Sequence, residues 1–551
     1  MKKVIKKVKF VVFSFAILAA LGFLNNNGII NLGFQTNNIC EAAIFTSDDG
    51  LWKFNNDGTI YVYLGSDSQI TIPSELTANN NIYTISQIPS TAFANNNSIT
   101  QINIGANITV IGDSPFQQMD NLTAIEVDPA NANYCDINGI LYNKAQTILM
   151  RYPQMNSTQV FEFPSTFEEF NIDALEVCNN VQTLRIPSYY TGYINTENSE
   201  MFSTVFPNLT NIQVMQGNAN YSCEDGVLYN SDKTILLWYP SKKNATDFTI
   251  PSSVTTLSAS SFINVAFLQN INLTANITTI EKNCFNGCAL TSINNISTRA
   301  EYINWNSDIK SVFQEYLENF QNQPVVISLV NEEVQYAVDS FIEDNMTNYE
   351  KIKALYDYVS NRVSYDYDNM YAGKNHCIPS VFLNNKTVCE GYALAMTLLL
   401  DKAGITNIPV SGPNHAWNIV QINDIWLQID ATWDDIGSEA RIEYFLRTAD
   451  EYNQLLPLHP VYESIKQAPF SNYSFTADRS MYENNLPLCN AIIGDVNTDG
   501  VLDQSDLDAM PLEILTYSLY NINGYYNVKA DLNRDGIIDS TDYNILYDLI
   551  Y

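Results

Sequence analysis

The sequence predicts a multidomain chain: a β-solenoid of short repeats, then an α+β domain, then a small all-α module built round two acidic loops. Three observations carry this. Between residue 44 and about residue 300, apolar positions recur at a displacement of 23. A thiol, an imidazole and a carboxylate follow in order at Cys389, His415 and Asp430, where the patterning passes from helical to strand-like. Near the C-terminus, Asp495 and Asp531 each open a loop with oxygen-bearing side chains at alternate positions. At 551 residues the chain is too long for one ordinary core, so several domains are expected.

The start of the chain reads as a secretion signal over residues 1–43. Lys2, Lys3, Lys6, Lys7 and Lys9 precede an apolar run from Phe10 to Leu24, and small residues follow at Ala42 and Ala43. The run is shorter than the roughly 20 apolar residues of a spanning helix. The expected mature protein is therefore exported and soluble, with no membrane segment after signal removal. The net charge is −33 even with those lysines counted, which repels nucleic acid and favours cation binding. Nine cysteines are too thinly spread for a disulfide scaffold. Cys284 and Cys288 could pair, but a buried repeat position accounts for each equally well.

Residues 44–300 form the repetitive part. A strand-rich beginning, Leu51 to Ile72 with Asn56-Asp57-Gly58, reads as a capping hairpin. Ile88, Phe93, Ile99, Ile102 and Ile104 then return as Ile111, Phe116, Leu122, Ile125 and Val127, and Leu257 and Phe262 return as Ile280 and Phe285. A short strand and an inward phenylalanine per turn indicate a stacked solenoid, in which no turn buries its apolar edge alone. A longer repeat is superposed: Tyr134, Gly139, Leu141 and Tyr152 recur at a displacement of 87 as Tyr221, Gly226, Leu228 and Tyr239, reading as inserted hairpins. The region resembles the leucine-rich repeats of bacterial surface proteins. That resemblance implies a protein or glycan ligand, with a plain spacer as the alternative.

Residues 301–470 form the α+β domain. Helices are expected over Ile309 to Phe320, Asn331 to Glu343 and Tyr349 to Val363. Cys389 opens an Ala-, Leu- and Met-rich run to Leu400, which places the thiol in a helix's first turn, where the dipole favours thiolate. His415 begins one alternating run and Asp430 closes a second, so neighbouring antiparallel strands would bring imidazole and carboxylate together. A thiol needs a base to become a nucleophile, and the base needs an orienting partner. The strings C-E-G-Y-A from Cys389, H-A-W-N from His415 and D-A-T-W-D from Asp430, with Lys351 to Val359 and Tyr444 to Leu446, resemble the transglutaminase-like family. The resemblance implies a papain-like core with Cys389 as nucleophile, His415 as general base and then acid, and Asp430 orienting His415. Catalysis then needs no cofactor. Asn384 and Asn385 are candidates for a second oxyanion donor. His376 and Cys377 are adjacent, which is weak support for a metal site, and His459 reads as a local hydrogen-bonder.

Residues 471–490 lack pattern and read as a linker. In residues 491–551, Asp495, Asn497, Asp499, Asp503 and Asp506 occupy positions 1, 3, 5, 9 and 12 of one loop, with Gly500 at the turn and the Val501 carbonyl as a further ligand. Asp531, Asn533, Asp535, Asp539 and Asp542, with Gly536 and the Ile537 carbonyl, repeat the arrangement. Hard oxygen ligands at this spacing imply two calcium ions. Asp at position 12 resembles dockerins, the calcium-folded modules that plug into cohesins. The resemblance implies Gln504, Ser505, Ser540 and Thr541 at the partner face and a cell-surface, cellulosome-type complex engaged in polysaccharide degradation.

The expected function is a secreted cysteine peptidase or amidase acting on protein or peptide, docked to a cohesin scaffold and aimed by its repeats. A transamidase and a non-catalytic adhesin are the alternatives. Direct glycoside cleavage has no support, since no carboxylate pair stands out from the general acidity.

Overall fold

The computed structural model describes residues 44–551 except 91, 171–173, 191–202, 413–414, 436–442, 456–488, 490 and 522–525. The signal segment, His459 and nearly all of the expected linker therefore lie outside the described residues.

The period of 23 in the sequence is the strand register of the solenoid. Gln101–Ile104 pairs in parallel with Ala124–Val127, Val160–Glu162 with Thr183–Ile186, and Asp247–Thr249 with Asn270–Asn272, each residue meeting the one 23 further on. Two-residue strands do the same on a second ribbon, Gln87–Ile88 with Val110–Ile111 and Thr256–Leu257 with Thr279–Ile280. Between the ribbons the phenylalanines stack, Phe93 on Phe116 at 5.8 Å and Phe262 on Phe285 at 5.2 Å between ring centroids. The first turn is longer, Gln69 pairing with Gln101, because a hairpin of Glu75–Ala78 and Asn81–Thr84 interrupts it.

The longer repeat is a pair of antiparallel three-stranded inserts. Tyr134–Ile137, Ile140–Asn143 and Ile148–Arg151 form one, and Tyr221–Glu224, Val227–Asn230 and Ile235–Trp238 the other. The third strand of each rejoins the solenoid in parallel, so the inserts continue the stack. The expected N-terminal hairpin is Trp52–Asn55 against Ile60–Tyr63, with Gly58 at φ +85° in its turn. All eight cysteines of the described residues are free. Cys284 Sγ lies 3.3 Å from Ser261 Oγ, and Cys288 Sγ donates to the Phe262 carbonyl at 2.8 Å, so the pairing left open between them is not made.

The last solenoid turn is covered by helices Ser307–Glu315 and Leu317–Phe320. Buried Gln323 satisfies backbone groups of the loop between Thr279–Ile280 and Ser292–Ile293, donating to Phe285 O at 3.1 Å and accepting from Leu290 N at 3.1 Å. Phe320 continues the ring stack, 4.7 Å from Phe285. The elements that build the rest are α1 (Pro324–Phe341), α2 (Asn348–Arg362), β1 (Ser364–Tyr365), α3 (Pro379–Leu383), β2 (Lys386–Thr387), α4 (Cys389–Lys402), β3 (Asn407–Gly412), β4 (His415–Ile422), β5 (Ile425–Ile429), α5 (Ala431–Asp434) and α6 (Ala449–Leu455). Helix α1 starts earlier than the expected Asn331, at Pro324. Proline suits a first helical position, where its missing N–H would have no partner anyway. Strands β3, β4 and β5 form an antiparallel sheet whose second turn, Asn423-Asp424, has φ of 47° and 64°, the conformation these residues tolerate in a tight hairpin.

The C-terminal module consists of α7 (Gln504–Tyr520), which runs through Pro511, and α8 (Ser540–Ile550). It is not a detached plug, contrary to the expectation of a separate module on a linker. Val496, Leu507, Met510, Val528 and Leu546 belong to one buried apolar cluster with the α1, α2 and α4 side chains and the last solenoid turns.

Because Phe320 is fully buried where solenoid meets helices, Phe320→Ala should cost about 3–5 kcal/mol. This would be read as a lower urea midpoint; an unchanged midpoint would mean that the two parts share no core.

Candidate functional site

Cys389 is the first residue of α4, whose N-cap, Val388, supplies no side-chain hydrogen bond. The helix's first amides therefore face the thiol region with their dipole uncompensated by a capping side chain. Gly391 admits Thr387: a Cβ there would collide with the Thr387 hydroxyl, which is hydrogen-bonded to Ser380 Oγ at 2.6 Å. This contact presses the start of α4 onto β2. Asn418 of the H-A-W-N string fixes the other side, donating to Ala393 O and Thr397 Oγ1, both at 2.9 Å. The strand carrying His415 is thus tied to the helix carrying Cys389, and Cys389, Ala393 and Ala416 pack as one small cluster with Tyr365.

His415 Nε2 lies 2.5 Å from Asp430 Oδ2. Asp430 is almost wholly buried and fully engaged. Its Oδ1 accepts from the amides of Thr432 and Trp433 at 3.1 Å each, and its Oδ2 also accepts from Tyr452 Oη at 2.6 Å. Capping a turn and orienting the imidazole are the same act here: the N-cap of α5 holds the carboxylate in place for His415. The other face of the ring meets Trp433, whose indole N–H donates to Nδ1 at 3.2 Å. Trp417 stacks parallel to the imidazole at 5.8 Å and to Tyr452 at 5.5 Å.

Burial alone would lower the His415 pKa, but the Asp430 carboxylate opposes it, with a smaller contribution from Cys389, and the result is raised to about 10. The Trp433 bond pulls the other way, since an indole donor needs an unprotonated Nδ1. A neutral contact of 3.2 Å is weaker than a charge-assisted one of 2.5 Å, so the net direction is up. Cys389 interacts electrostatically with both the His415 ring and the Tyr365 hydroxyl. The structure thus brings Cys389, His415 and Asp430 together.

Sequence reasoning missed Tyr452, Trp433 and Tyr365. The first two lie outside the three strings or were read as flanking residues. Tyr365 belongs to a Tyr- and Asp-rich loop, and only its parallel pairing with Thr387 in β2 brings it to the thiol. Asn384 and Asn385, the expected donors, sit in the turn between α3 and β2, with Asn385 exposed.

His376 does not join Cys377 in a metal site. Its Nδ1 lies 3.0 Å from Glu390 Oε2, its Nε2 donates to Met370 O at 2.7 Å, and Cys377 Sγ donates to Lys374 O. Burial pushes the Cys377 thiol up to about 12.

At the C-terminal loops, Gly500 and Gly536 have φ of +86° and +82°, as position 6 requires. Among the described residues no three His, Cys, Asp or Glu side chains converge on one point. The carboxylates instead bond to loop amides, Asp506 Oδ1 to Asn497 N at 3.1 Å and Asp542 Oδ1 to Leu532 N at 2.8 Å. Two observations nevertheless fit a cation. Asp495 Oδ1 is buried without a hydrogen-bond partner, and the Lys529 ammonium stands 2.8 Å from Asp495 Oδ2. Gln504, Ser505, Ser540 and Thr541 are all exposed. No helix of the described residues is long and apolar enough to cross a membrane.

Comparison with known proteins agrees with the two larger parts. Residues 68–147 and 238–322 match the family described as BspA type leucine rich repeat region, in six copies. Residues 335–431, which take in Cys389, His415 and Asp430, match the transglutaminase-like superfamily. No curated protein matches. Among solved structures, a leucine rich cell surface protein from Faecalibacterium prausnitzii is 20% identical over 47% of this chain and 79% of its own, with a TM-score of 0.32. A leucine-rich repeat protein from Eubacterium ventriosum is 22% identical over 47% and 71%, with a TM-score of 0.27. A structure described as a TGase is 18% identical over 25% and 36%, with a TM-score of 0.17. The chain is multidomain, with BspA-type leucine-rich repeats followed by a transglutaminase-like domain.

Proposed function

We propose that this chain is an exported surface enzyme that performs cysteine-dependent acyl transfer, hydrolysing amide bonds in protein or peptide. The observation that carries the reading is the 2.5 Å contact of His415 with a buried, fully bonded Asp430, with Cys389 beside the same imidazole at a helix N-terminus.

Each group has one task. Asp430 fixes the His415 Nε2–H tautomer and stabilises the imidazolium. Nδ1 takes the Cys389 proton, displacing the Trp433 indole, and the thiolate sulfur attacks the substrate carbonyl carbon. The carbonyl π pair moves to oxygen, and the Tyr365 hydroxyl, with a first-turn amide of α4, is placed to donate to that oxyanion. Collapse of the tetrahedral species breaks the C–N bond, His415 returns its proton to the leaving amine, and a thioester remains. Water then loses a proton to His415 and attacks the thioester, releasing the acid and restoring the thiol. An amine in place of water would make the enzyme a transamidase.

The finer reading of the C-terminal module is a dockerin. Asp495, Asn497, Asp499, Val501, Asp503 and Asp506 would hold one calcium ion and Asp531, Asn533, Asp535, Ile537, Asp539 and Asp542 a second. The ions would organise the loops, and Gln504, Ser505, Ser540 and Thr541 would face a cohesin. The repeats would bind protein or glycan at the cell surface.

The reading fixes several outcomes. Iodoacetamide should label Cys389 ahead of the buried thiols Cys377 and Cys489, the latter raised to about 11 by burial. Cys389→Ala should abolish turnover of an activated ester. Tyr365→Phe should lower kcat by about 10²–10³-fold; an unchanged kcat would remove Tyr365 from the oxyanion site. Adding a primary amine should leave the product as free acid, and an amide adduct would convert the assignment to transamidation.

With three histidines in the chain, ring NMR can follow each one. His415 should titrate near 10, and Asp430→Asn should bring it down sharply. Its folded pKa exceeds the unfolded value, so its contribution to stability is complete below about 6.5 and is lost as pH rises towards 10. Calcium added to the chelated chain at a hundredfold excess over Kd should stabilise it by about 2.7 kcal/mol. The combined Asp506→Ala and Asp542→Ala chain should lose that gain.

A further inference from the structure

The second acidic loop does not face solvent on all sides. Arg534, its fourth residue, is buried, although a long cation at that position would ordinarily lie in water. Its Nη1 donates to Leu446 O, and its Nη2 reaches both Glu451 oxygens at 3.0 and 3.1 Å. The loop is held on α2 as well. Tyr349 Oη donates to Arg534 O at 2.8 Å, the Tyr349 and Tyr526 rings are 4.8 Å apart, and a Cβ on Gly536 would strike the Tyr349 ring. Asn423, in the turn between β4 and β5, donates to Tyr526 O.

Glu451 is more than an ion-pair partner. Its Oε2 accepts from Thr448 N at 2.7 Å, and Thr448 Oγ1 accepts from Glu451 N at 3.3 Å, a reciprocal cap that starts α6. The next residue, Tyr452, donates to the Asp430 oxygen that also binds His415. Leu446, the other Arg534 contact, has φ +52°. It follows Tyr444, which donates its amide to Asp434 and accepts from the Asp430 amide at 3.1 Å. Both ends of the Arg534 fork therefore touch segments that hold Asp430.

We propose that Arg534 is a positioning residue for the acyl-transfer site, and that the C-terminal module is an internal brace of the catalytic domain as well as a docking element. This rests on the acyl-transfer reading above. The chain of contacts is Arg534 to Glu451, Glu451 to the start of α6, Tyr452 to Asp430, and Asp430 to His415. With Nη2 on the Glu451 carboxylate and Nη1 on the Leu446 carbonyl, the planar guanidinium is fixed in direction as well as distance, which a lysine would not do. The expected partner face is untouched by the brace, since Ser540 and Thr541 remain exposed while Arg534 points into the catalytic domain. A cohesin could be held without releasing the site.

The test compares full-length wild type with Arg534→Met, which keeps much of the side-chain length, and with Glu451→Gln, which keeps the cap and loses the charge. Hydrogen exchange at Ala449–Leu455 reads the brace. The pH profile of Cys389 alkylation and the His415 ring titration read the site. Both variants should exchange faster through α6, should alkylate at least tenfold more slowly near neutral pH, and should show a lower His415 midpoint. Unchanged exchange overturns the proposal, and so does faster exchange with an unaltered Cys389 profile and His415 titration. If wild-type Cys389 shows no selective alkylation, the acyl-transfer reading fails, and positioning for catalysis fails with it. If only the variants alkylate as wild type does, the enzyme reading stands and the brace alone is lost.

Discussion

One buried carboxylate organises the transglutaminase-like domain of this molecule. Asp430 has four donors on two oxygens: two amides of its own turn, a tyrosine from α6 and the imidazole. A buried carboxylate with fewer partners would protonate, and a neutral acid would not support an imidazolium. The four donors come from three elements, so the packing of α5, α6 and β4 is a condition for holding the Asp430 carboxylate in place. Tyr356 extends the dependence to α2, donating to Asp430 O at 2.7 Å and lying 2.5 Å from Asp434 Oδ2. Burial raises Asp434 to about 7, with Asp430 adding to the shift.

What could be read from the sequence was set by range. The displacement of 23 became strand register because solenoid contacts join each turn to the next, so the pattern and the contact are the same fact. The His415 and Asp430 strands were legible for a related reason: a two-residue turn, Asn423-Asp424, links them. Tyr365 and Arg534 were not. Tyr365 reaches Cys389 through a two-residue parallel pairing, which has no periodic signature. Arg534 sits inside a loop whose spacing already had a complete explanation in metal ligands, so nothing in the local pattern set it apart.

The Trp433 indole introduces a tension that the chemistry can use. Its bond to Nδ1 belongs to the neutral ring; once Nδ1 carries a proton, as the Asp430 contact favours at pH below about 10, it must be given up. The carboxylate on the opposite nitrogen makes the exchange favourable, because its pull on the imidazolium grows as the ring becomes charged. An indole donor at this distance therefore acts as a rest for the base, restraining its rotation without competing strongly for its proton. Trp417, stacked parallel to the imidazole and backed by Tyr452, limits rotation further.

The same logic extends to the scale of domains. The transglutaminase-like domain is gripped at one end by the last solenoid turns, through Phe285 on Phe320 and Gln323 in the last loop of the repeats, and at the other by Arg534 in the C-terminal module. Neither grip touches the thiol, and each ends on an element that does touch the triad or its supports. Phe320 stacks near Phe313 beside Tyr302, whose hydroxyl donates to Leu383 at the end of α3, just before β2. Strand β2 in turn fixes Tyr365 and Gly391. The repeats thus lie behind the Tyr365 side of the site and the C-terminal module behind the Asp430 side. The two flanking parts, whatever they bind outside, then also fix how far the sulfur, the imidazole and the phenol can drift apart.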